Sequence, residues 1–393
     1  MKIAYICADP GVPIFGRKGC SIHVQEIIRA FQRRGAEVCL FAARLDGEPP
    51  EDLPSLRVRA LPELPRANTL DREAACLAAN ETLRHRLEAE GPFDFVYERY
   101  SLWSYAGMDY ARAAGFAGLL EVNSPLVEEH ASHRVLIHRA RAEDIAERVF
   151  STATKLIAVS EEVGNYLQGY PATHGRVHVI PNGVSPERFR PGLQPAVPAP
   201  DVFTIGFVGT LKPWHGLDVL LEAFAELWRD DSKVRLLLVG DGPEREALLA
   251  KSSDLNLQAV AHFTGAVDPR QVPGLLASMD VAVAPYPALS NFYFSPLKVY
   301  EYMAAGLPVV ASRIGQLGKL IRHGENGLLT PPGDVAALAA ALRRVRNDKE
   351  LRRTLGDAAR EIVLREHTWN SVADRICRLV QPGIPQLNCS PSS

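Results

Sequence analysis

Apolar and polar positions along the chain fall into a repeating order of short buried runs and helical spacings. Residues 2–8, KIAYICA, form an apolar run that breaks at Asp9-Pro10-Gly11, the pattern of a buried strand feeding a loop. The loop carries Gly16 and Gly19 and runs to Ser21. From Ile22 to Arg34, residues Val24, Ile27, Ile28 and Phe31 recur at helical spacing until Gly35 stops them, and Glu37 to Phe41 is the next strand. Strand, glycine-bearing loop, helix and strand in this order predict a right-handed βαβ unit, the start of a doubly wound parallel sheet. Residues 47–70 read as a Pro-rich connection, Leu70 to Glu90 as a helix, and Phe93 to Tyr97 as a strand with Glu98-Arg99-Tyr100 at its end. A helix around Ala106 to Ala114, a strand from Leu119 to Asn123, a charged helical stretch from Glu128 to Ala153 and a strand from Lys155 to Ser160 follow. After a helix to Leu167, Val177 to Val184 closes this first series.

Residues 185–200, SPERFRPGLQPAVPAP, read as a Pro-rich linker, after which the alternation restarts. Phe203 to Val208, Val234 to Val239, Val260 to Phe263 and Val281 to Pro285 are strands, with helices from Leu217 to Trp228 and Val272 to Ser278. The stretch from Asn291 to Ser312 organises the rest. It runs from a polar-aromatic loop through Ser295-Pro296-Leu297-Lys298 into a short helix with Glu301, which Gly306 ends before the strand Val309-Val310-Ala311. Helices from Asp334 and Glu350 and a last one from Thr368-Trp369 complete the series. The division this predicts is a first domain over 1–184, a linker over 185–200, a second domain over 201–366, a C-terminal helix over 367–381 and a disordered Pro/Ser-rich tail over 382–393.

Two loops carry candidate chemistry. Pro296 suits a first helical turn, and a helix start with the N–H groups of Leu297 and Lys298 is an anion site to which the Lys298 ammonium adds charge. The carboxylate of Glu301 lies one turn further on. The loop Gly209 to Gly216 also follows a strand and opens a helix, and it offers Lys212 and His215. A surface lysine and a capping histidine are the plain alternative. In the first series, Glu121 and Asn123 end a strand, where a carboxylate serves either as a general base or as a structural hydrogen-bonding group. His130, His133 and His138 invite a metal reading, but they lack an i, i+4 pair, and a solvated helix face accounts for them better.

Composition narrows the class. An apolar content of 47% with 23% charged residues is that of a globular protein with ample core, and a net charge of −2 leaves no electrostatic footprint for nucleic acid. The six cysteines, at positions 7, 20, 39, 76, 377 and 389, show no paired spacing, which predicts a reduced, cytoplasmic protein without a disulfide framework. No run approaches the length of a membrane span. The Arg- and Ala-rich usage points to a GC-rich bacterial genome.

The stretch around Glu301 resembles the donor-binding segment of retaining glycosyltransferases with the GT-B fold, the family 4 group that uses nucleotide sugars. Those carry two glutamates in an E-x7-E pattern, the second within E-a-M-A-x-G. Glu301 in EYMAAG matches the second, while Tyr293 stands at the first, which touches the donor sugar in the family. Lys18-Gly19-Cys20-Ser21-Ile22-His23-Val24 is similar to the family's G-G-x-x-x-H-v with Lys18 at the first glycine, and Val179-Ile180-Pro181-Asn182-Gly183-Val184 is similar to its I-P-N-G-V-D with Ser185 at the Asp. In the G-R-L-x-x-x-K-G loop, Thr210 stands at the Arg position and His215 at the Lys position.

The resemblance implies an α/β GT-B architecture, two doubly wound Rossmann-like domains facing each other across a cleft. It also implies transfer of a sugar from a nucleoside-diphosphate sugar to an acceptor hydroxyl, with retention by same-face substitution. Glu301 would accept from the ribose and the loop Gly265 to Val267 would meet the base. Gly209, Thr210, Lys212, His215, Tyr293, Ser295, Pro296, Leu297 and Lys298 would hold the diphosphate and sugar. Gly16, Gly19, His23, Glu121 and Asn123 would form the acceptor side, and Lys212, His215, Glu301 and Asn123 the catalytic set. No cofactor or metal is expected. UDP-sugars are the favoured donors, with GDP- and dTDP-sugars as alternatives. Peripheral membrane association is compatible with the sequence without being indicated by it, and the oligomeric state stays open. A nucleotide-sugar-binding protein without transferase activity and a sugar-nucleotide epimerase or glycan phosphorylase of the same fold are the rival readings.

Overall fold

The first apolar run becomes β1 (Lys2–Cys7), and the alternation it starts continues through α1 (Gly19–Arg33), β2 (Glu37–Ala42), β3 (Arg57–Ala60), α2 (Thr69–Glu90), β4 (Phe95–Arg99) and α3 (Ala106–Ala114). Next come β5 (Ala117–Val122), α4 (Leu126–His133), α5 (Arg139–Thr152), β6 (Lys155–Ala158), α6 (Glu161–Gln168) and β7 (Val177–Val179). The second series is β8 (Phe203–Val208), α7 (Leu217–Asp230), β9 (Val234–Val239), α8 (Arg245–Asp254), β10 (Ala261–Phe263), α9 (Val272–Leu276), β11 (Val281–Ala284) and α10 (Leu297–Ala304). It ends with β12 (Val309–Ser312), α11 (Leu317–Leu320), β13 (Leu328–Thr330), α12 (Val335–Asn347) and α13 (Lys349–Glu366), before a last helix, α14 (Trp369–Val380). These elements come from a computed structural model that describes residues 1–53, 56–64, 68–133, 135–190, 192–289 and 292–380. The tail expected to be disordered lies outside the described residues.

The chain forms two compact units. Unit 1 takes Met1–Val159, Val163–Pro181 and the chain from Trp369; unit 2 takes Ser160–Glu162 and Asn182–Thr368. The sheet of unit 1 has the order β3-β2-β1-β4-β5-β6-β7 and that of unit 2 the order β10-β9-β8-β11-β12-β13. Every pairing is parallel, the arrangement of a doubly wound sheet with helices on both faces. In unit 2 the strand period of two divides the core cleanly. Ala282, Ala284, Val309 and Ala311 pack with Tyr300, Tyr302 and Met303 of α10 on one face. Val281, Val283 and Val310 pack with Leu220, Phe224 and Leu338 of α7 and α12 on the other.

Four details depart from expectation. Helix α1 begins at Gly19, with Lys18 as its N-cap, so the predicted loop is shorter than its composition suggested. Strand β3 lies within the supposed Pro-rich connection and pairs with β2 through Cys39↔Arg57 to Ala42↔Ala60. The charged stretch from Glu128 splits into α4 and α5, because buried Glu73 accepts from the backbone N–H groups of Ile137 (2.9 Å) and His138 (3.1 Å) and so stops the helix there. The supposed linker packs into unit 2. Phe189 is core, Arg360 Nη1 donates to its carbonyl at 2.6 Å, and Ala196 N–H donates to Gly274 at 2.8 Å.

Candidate active site

In unit 2 the loops after β8, β9 and β11 meet the start of α10, at the C-terminal edge of the sheet. The backbone is crowded there. Gly209 has φ +150°, and a Cβ on it would lie 2.8 Å from Lys298 Nζ; Gly240 has φ +128°, and a Cβ on it would lie 2.1 Å from the Gly209 carbonyl. Only glycine fits both positions. Tyr302 on α10 accepts from Val208 N–H at 2.7 Å and so ties the helix to the end of β8.

The polar centre is Lys298 against His215. His215 Nδ1 lies 2.6 Å from the Thr210 carbonyl, so Nδ1 carries the proton and Nε2 keeps a lone pair, which faces Lys298 Nζ at 3.0 Å. The Lys298 ammonium also lies 4.2 Å above the centre of the Phe207 ring. Burial, then the neighbouring Lys298 and Lys212 charges, push His215 down to about 2, so the ring is neutral. Burial pulls Lys298 down to about 7, against the opposing pull of Glu301. His215, expected to act on the diphosphate from the family's lysine position, carries no charge of its own in the free protein and accepts from Lys298.

The remaining expected donor-side residues fall around this pair. Lys212 lies 5.3 Å from the Trp214 ring, which stacks on Phe294 at 6.4 Å between centres. Tyr293 packs on Phe294, with ring centres 4.5 Å apart. Pro296 is the N-cap of α10 rather than its first turn, with Leu297 and Lys298 opening the helix. The preceding Ser295 is buried, and Asn182 fixes it by donating its backbone N–H to Ser295 Oγ (3.1 Å) and its amide to the Ser295 carbonyl (2.8 Å). Ser160 Oγ donates to the Tyr293 carbonyl at 2.8 Å. Glu301 stands 4.0 Å from Arg188. In the exit loop of β10, the Gly265 carbonyl accepts from Gly240 N–H at 3.1 Å, and Val267 packs on the core. Asn182 lies in the stretch similar to the family's I-P-N-G-V-D and Ser160 at an expected strand end, and no local signal marks them as braces of the loop before α10.

In unit 1 the expected acceptor-side residues divide. His23, Glu121 and Asn123 form one network. Glu121 Oε2 takes His23 Nε2 at 2.9 Å and the Tyr97 hydroxyl, and Oε1 takes Arg99 at 3.2 Å and the Asn123 amide. Burial alone would raise the carboxyl, but His23, Arg99 and Tyr97 outweigh it and hold it down at about 2. A carboxylate so saturated is a poor base at neutral pH, and the geometry favours the structural role. Gly19 opens α1, and the Gly16 carbonyl accepts from the Gln25 amide at 3.2 Å, apart from that network. Of the three histidines weighed as metal ligands, His138 Nδ1 pairs with Glu73 at 2.8 Å, and the side chain of His133 lies outside the described residues. Among the described residues, no group of three or more His, Cys, Asp or Glu side chains is placed to hold a metal ion.

Comparison with known proteins bears on the family and the fold. Residues 17–188 match the family model described as "Glycosyltransferase Family 4", and residues 202–348 match that described as "Glycosyl transferases group 1". The chain is 28% identical over 395 residues to the D-inositol 3-phosphate glycosyltransferase of Saccharomonospora viridis, covering 94% of this chain and 89% of that one. The sucrose-phosphate synthase of Thermosynechococcus elongatus shares the fold with a TM-score of 0.73 at 23% identity, over 96% of this chain and 98% of that chain. HepE of Anabaena, solved in complex with UDP and glucose, does so with a TM-score of 0.72 at 21% identity and the same coverage. With one such model on each half and a sheet of Rossmann type in each unit, the chain belongs to the glycosyltransferases of family 4 type with the GT-B fold.

Proposed function

We propose that the protein is a retaining glycosyltransferase that moves a sugar from a nucleoside-diphosphate sugar to an acceptor hydroxyl by same-face substitution. The observation that carries this reading is the pairing of Lys298 with neutral His215 at the start of α10, with Glu301 one turn further on. Breaking a glycosyl–phosphate bond builds charge on the departing phosphate, and a fixed cation beside helix N–H groups stabilises that charge more as the bond breaks. Lys298 and the first-turn N–H groups act on the diphosphate, with Lys212 at the rim. Glu301 accepts from the ribose hydroxyls, and the Gly265–Val267 loop borders the base. The leaving phosphate helps to take the acceptor's proton. No base from the chain is required, which suits the saturated Glu121. A UDP-sugar is the first donor to test, since HepE, which shares the fold, was solved with UDP-glucose.

The test is a thermal-shift series with UDP, GDP, dTDP and ADP. A ligand at 100 times its Kd stabilises by about 2.7 kcal/mol. One diphosphate should shift the wild type selectively, and Lys298→Ala and Glu301→Ala should abolish that shift. NMR of the product should give the donor's own anomeric configuration, and activity should survive EDTA because Lys298 supplies the cation. An inverted product, or no shift with any diphosphate, would overturn the reading.

A further inference from the structure

Unit 1 contains a cavity of about 360 Å³ that includes none of the expected acceptor-side residues. Ala8 and Ala43, just past β1 and β2, border it, as do Cys76 and Ala79 of α2, Trp103, and Leu126 of α4. Four of its polar side chains are already spent on the protein. Glu73 holds Ile137 N–H, His138 N–H and His138 Nδ1. Asn80 accepts from Tyr105 N–H (2.9 Å) and Ala106 N–H (3.0 Å) and donates to the carbonyls of Leu77 (3.0 Å) and Trp103 (2.9 Å). Ser101 and Ser104 donate to the Arg99 carbonyl and to Glu98. Burial pushes the Cys76 thiol up to about 11, which keeps it a small apolar group. Asp9, which accepts from Gly11 N–H at 2.7 Å, and Thr69, Arg72 and His130 are the other polar side chains of the lining; the rest of it, the larger part, is carbon.

The rim points the same way. Val135 lines the cavity and is 69% exposed; Leu70 and Ile137, beside the lining residues Thr69 and Glu73, are 46% and 48% exposed. These are three of the eight large hydrophobic side chains left exposed among the described residues, so apolar surface continues from the cavity to solvent. A dry cavity of about 150 Å³ already holds benzene, so this one takes a body of two or three fused rings or a folded short chain.

We infer that this cavity binds the hydrocarbon part of the acceptor, a hydroxylated molecule with a compact apolar body. That it is the acceptor's part rests on the glycosyl-transfer reading; the preference for hydrocarbon rests on the cavity alone. Both a free aglycone and the chain of a lipid alcohol have this chemistry.

The test is a fluorescence titration of the full chain with N-phenyl-1-naphthylamine, a neutral apolar probe. Saturable one-to-one enhancement is expected, and Ala79→Phe and Cys76→Phe, which each fill the cavity, should weaken it at least tenfold while leaving the UDP thermal shift in place. Displacement of the probe by 2-naphthol would identify the free-aglycone source, and displacement by farnesol the lipid source. No saturable enhancement, unchanged binding in both variants, or displacement by neither alcohol would overturn the inference. Probe binding as expected without any nucleotide shift in the wild type would defeat the transfer reading and leave the cavity's ligand class standing.

Discussion

Lys298 is buried, which makes its charge costly, although the Phe207 ring face and the lone pair of neutral His215 both favour the ammonium. With its pKa pulled down to about 7, a good part of the population is neutral above that pH in the free protein. A bound diphosphate favours the ammonium and raises the pKa again. Binding at pH 8 should therefore take up close to one proton, and affinity should fall about tenfold per pH unit above 7 until the bound-state pKa is reached. Calorimetry of UDP binding in buffers of different ionisation enthalpy reads the proton directly. Lys298→Arg, whose guanidinium stays charged throughout, should bind UDP without uptake; equal uptake in both proteins would assign the proton elsewhere. In unit 1, two carboxylates on neighbouring strands show opposite linkage. Glu98 is wholly buried, accepts from Ser104, and leaves Oε2 without a partner; burial raises it to about 7. Its folded pKa exceeds the ordinary value, so its cost appears as pH rises from about 4.5 and is complete above 7. Glu98→Gln should stabilise unit 1 at pH 8 by about 1–3 kcal/mol and have little effect at pH 4.5, as urea melts at the two pH values would show. Glu121 behaves in reverse: its contribution is present above about 4.5 and is lost as pH falls toward 2.

At the scale of elements, the loop before α10 is held by two residues outside it. Asn182 gives Ser295 two hydrogen bonds, and Ser160 fixes the Tyr293 carbonyl, so the approach to α10 is set before a ligand arrives. Asn182→Ala should remove the side-chain bond, leave the buried Ser295 carbonyl short of a donor at about 1–3 kcal/mol, and weaken UDP severalfold. Unchanged UDP affinity, measured by titration, would mean that the loop holds itself. These elements also mark how far the sequence could be read. The buried strands and α10 announce themselves because parallel strands with both faces covered are continuous apolar runs, and because glycines sit where the loops crowd. Strand β3 is hidden because an edge strand reading Arg57-Val58-Arg59-Ala60 carries no such run. The break before α5 is invisible locally because its cause, Glu73, lies 64 residues away from the N–H it captures. The same holds for the site. Lys298 and Glu301 are legible from their place on one helix start, but the contact of Lys298 with buried His215 spans 83 residues, and the brace on Ser295 spans 113. The apolar cavity was missed because its small lining residues resemble ordinary helix-packing positions on α2.

At the scale of the molecule, each unit has its own parallel sheet and core, yet neither is a continuous piece of chain. After Thr368 the chain returns to unit 1, where α14 packs on α1 and buries Trp369, Val372, Ala373 and Ile376. Trp369 meets the His23 ring edge-on at 5.1 Å, and His23 is one of the groups that hold Glu121. The last helix therefore supports the polar network at the far end of β5 as well as the apolar face of α1. Removing the Trp369 side chain should cost unit 1 about 3–5 kcal/mol, the usual range for a buried tryptophan cut to alanine, and leave unit 2 untouched. Calorimetry with and without UDP separates the two. A protein with two cores need not unfold in one step, and a nucleotide that binds unit 2 raises only that unit's transition. In Trp369→Ala the transition that UDP does not move should fall, while the one it moves stays in place. If the UDP-sensitive transition fell with it, α14 would be supporting the nucleotide-binding unit, and the assignment of this helix to unit 1 would be wrong.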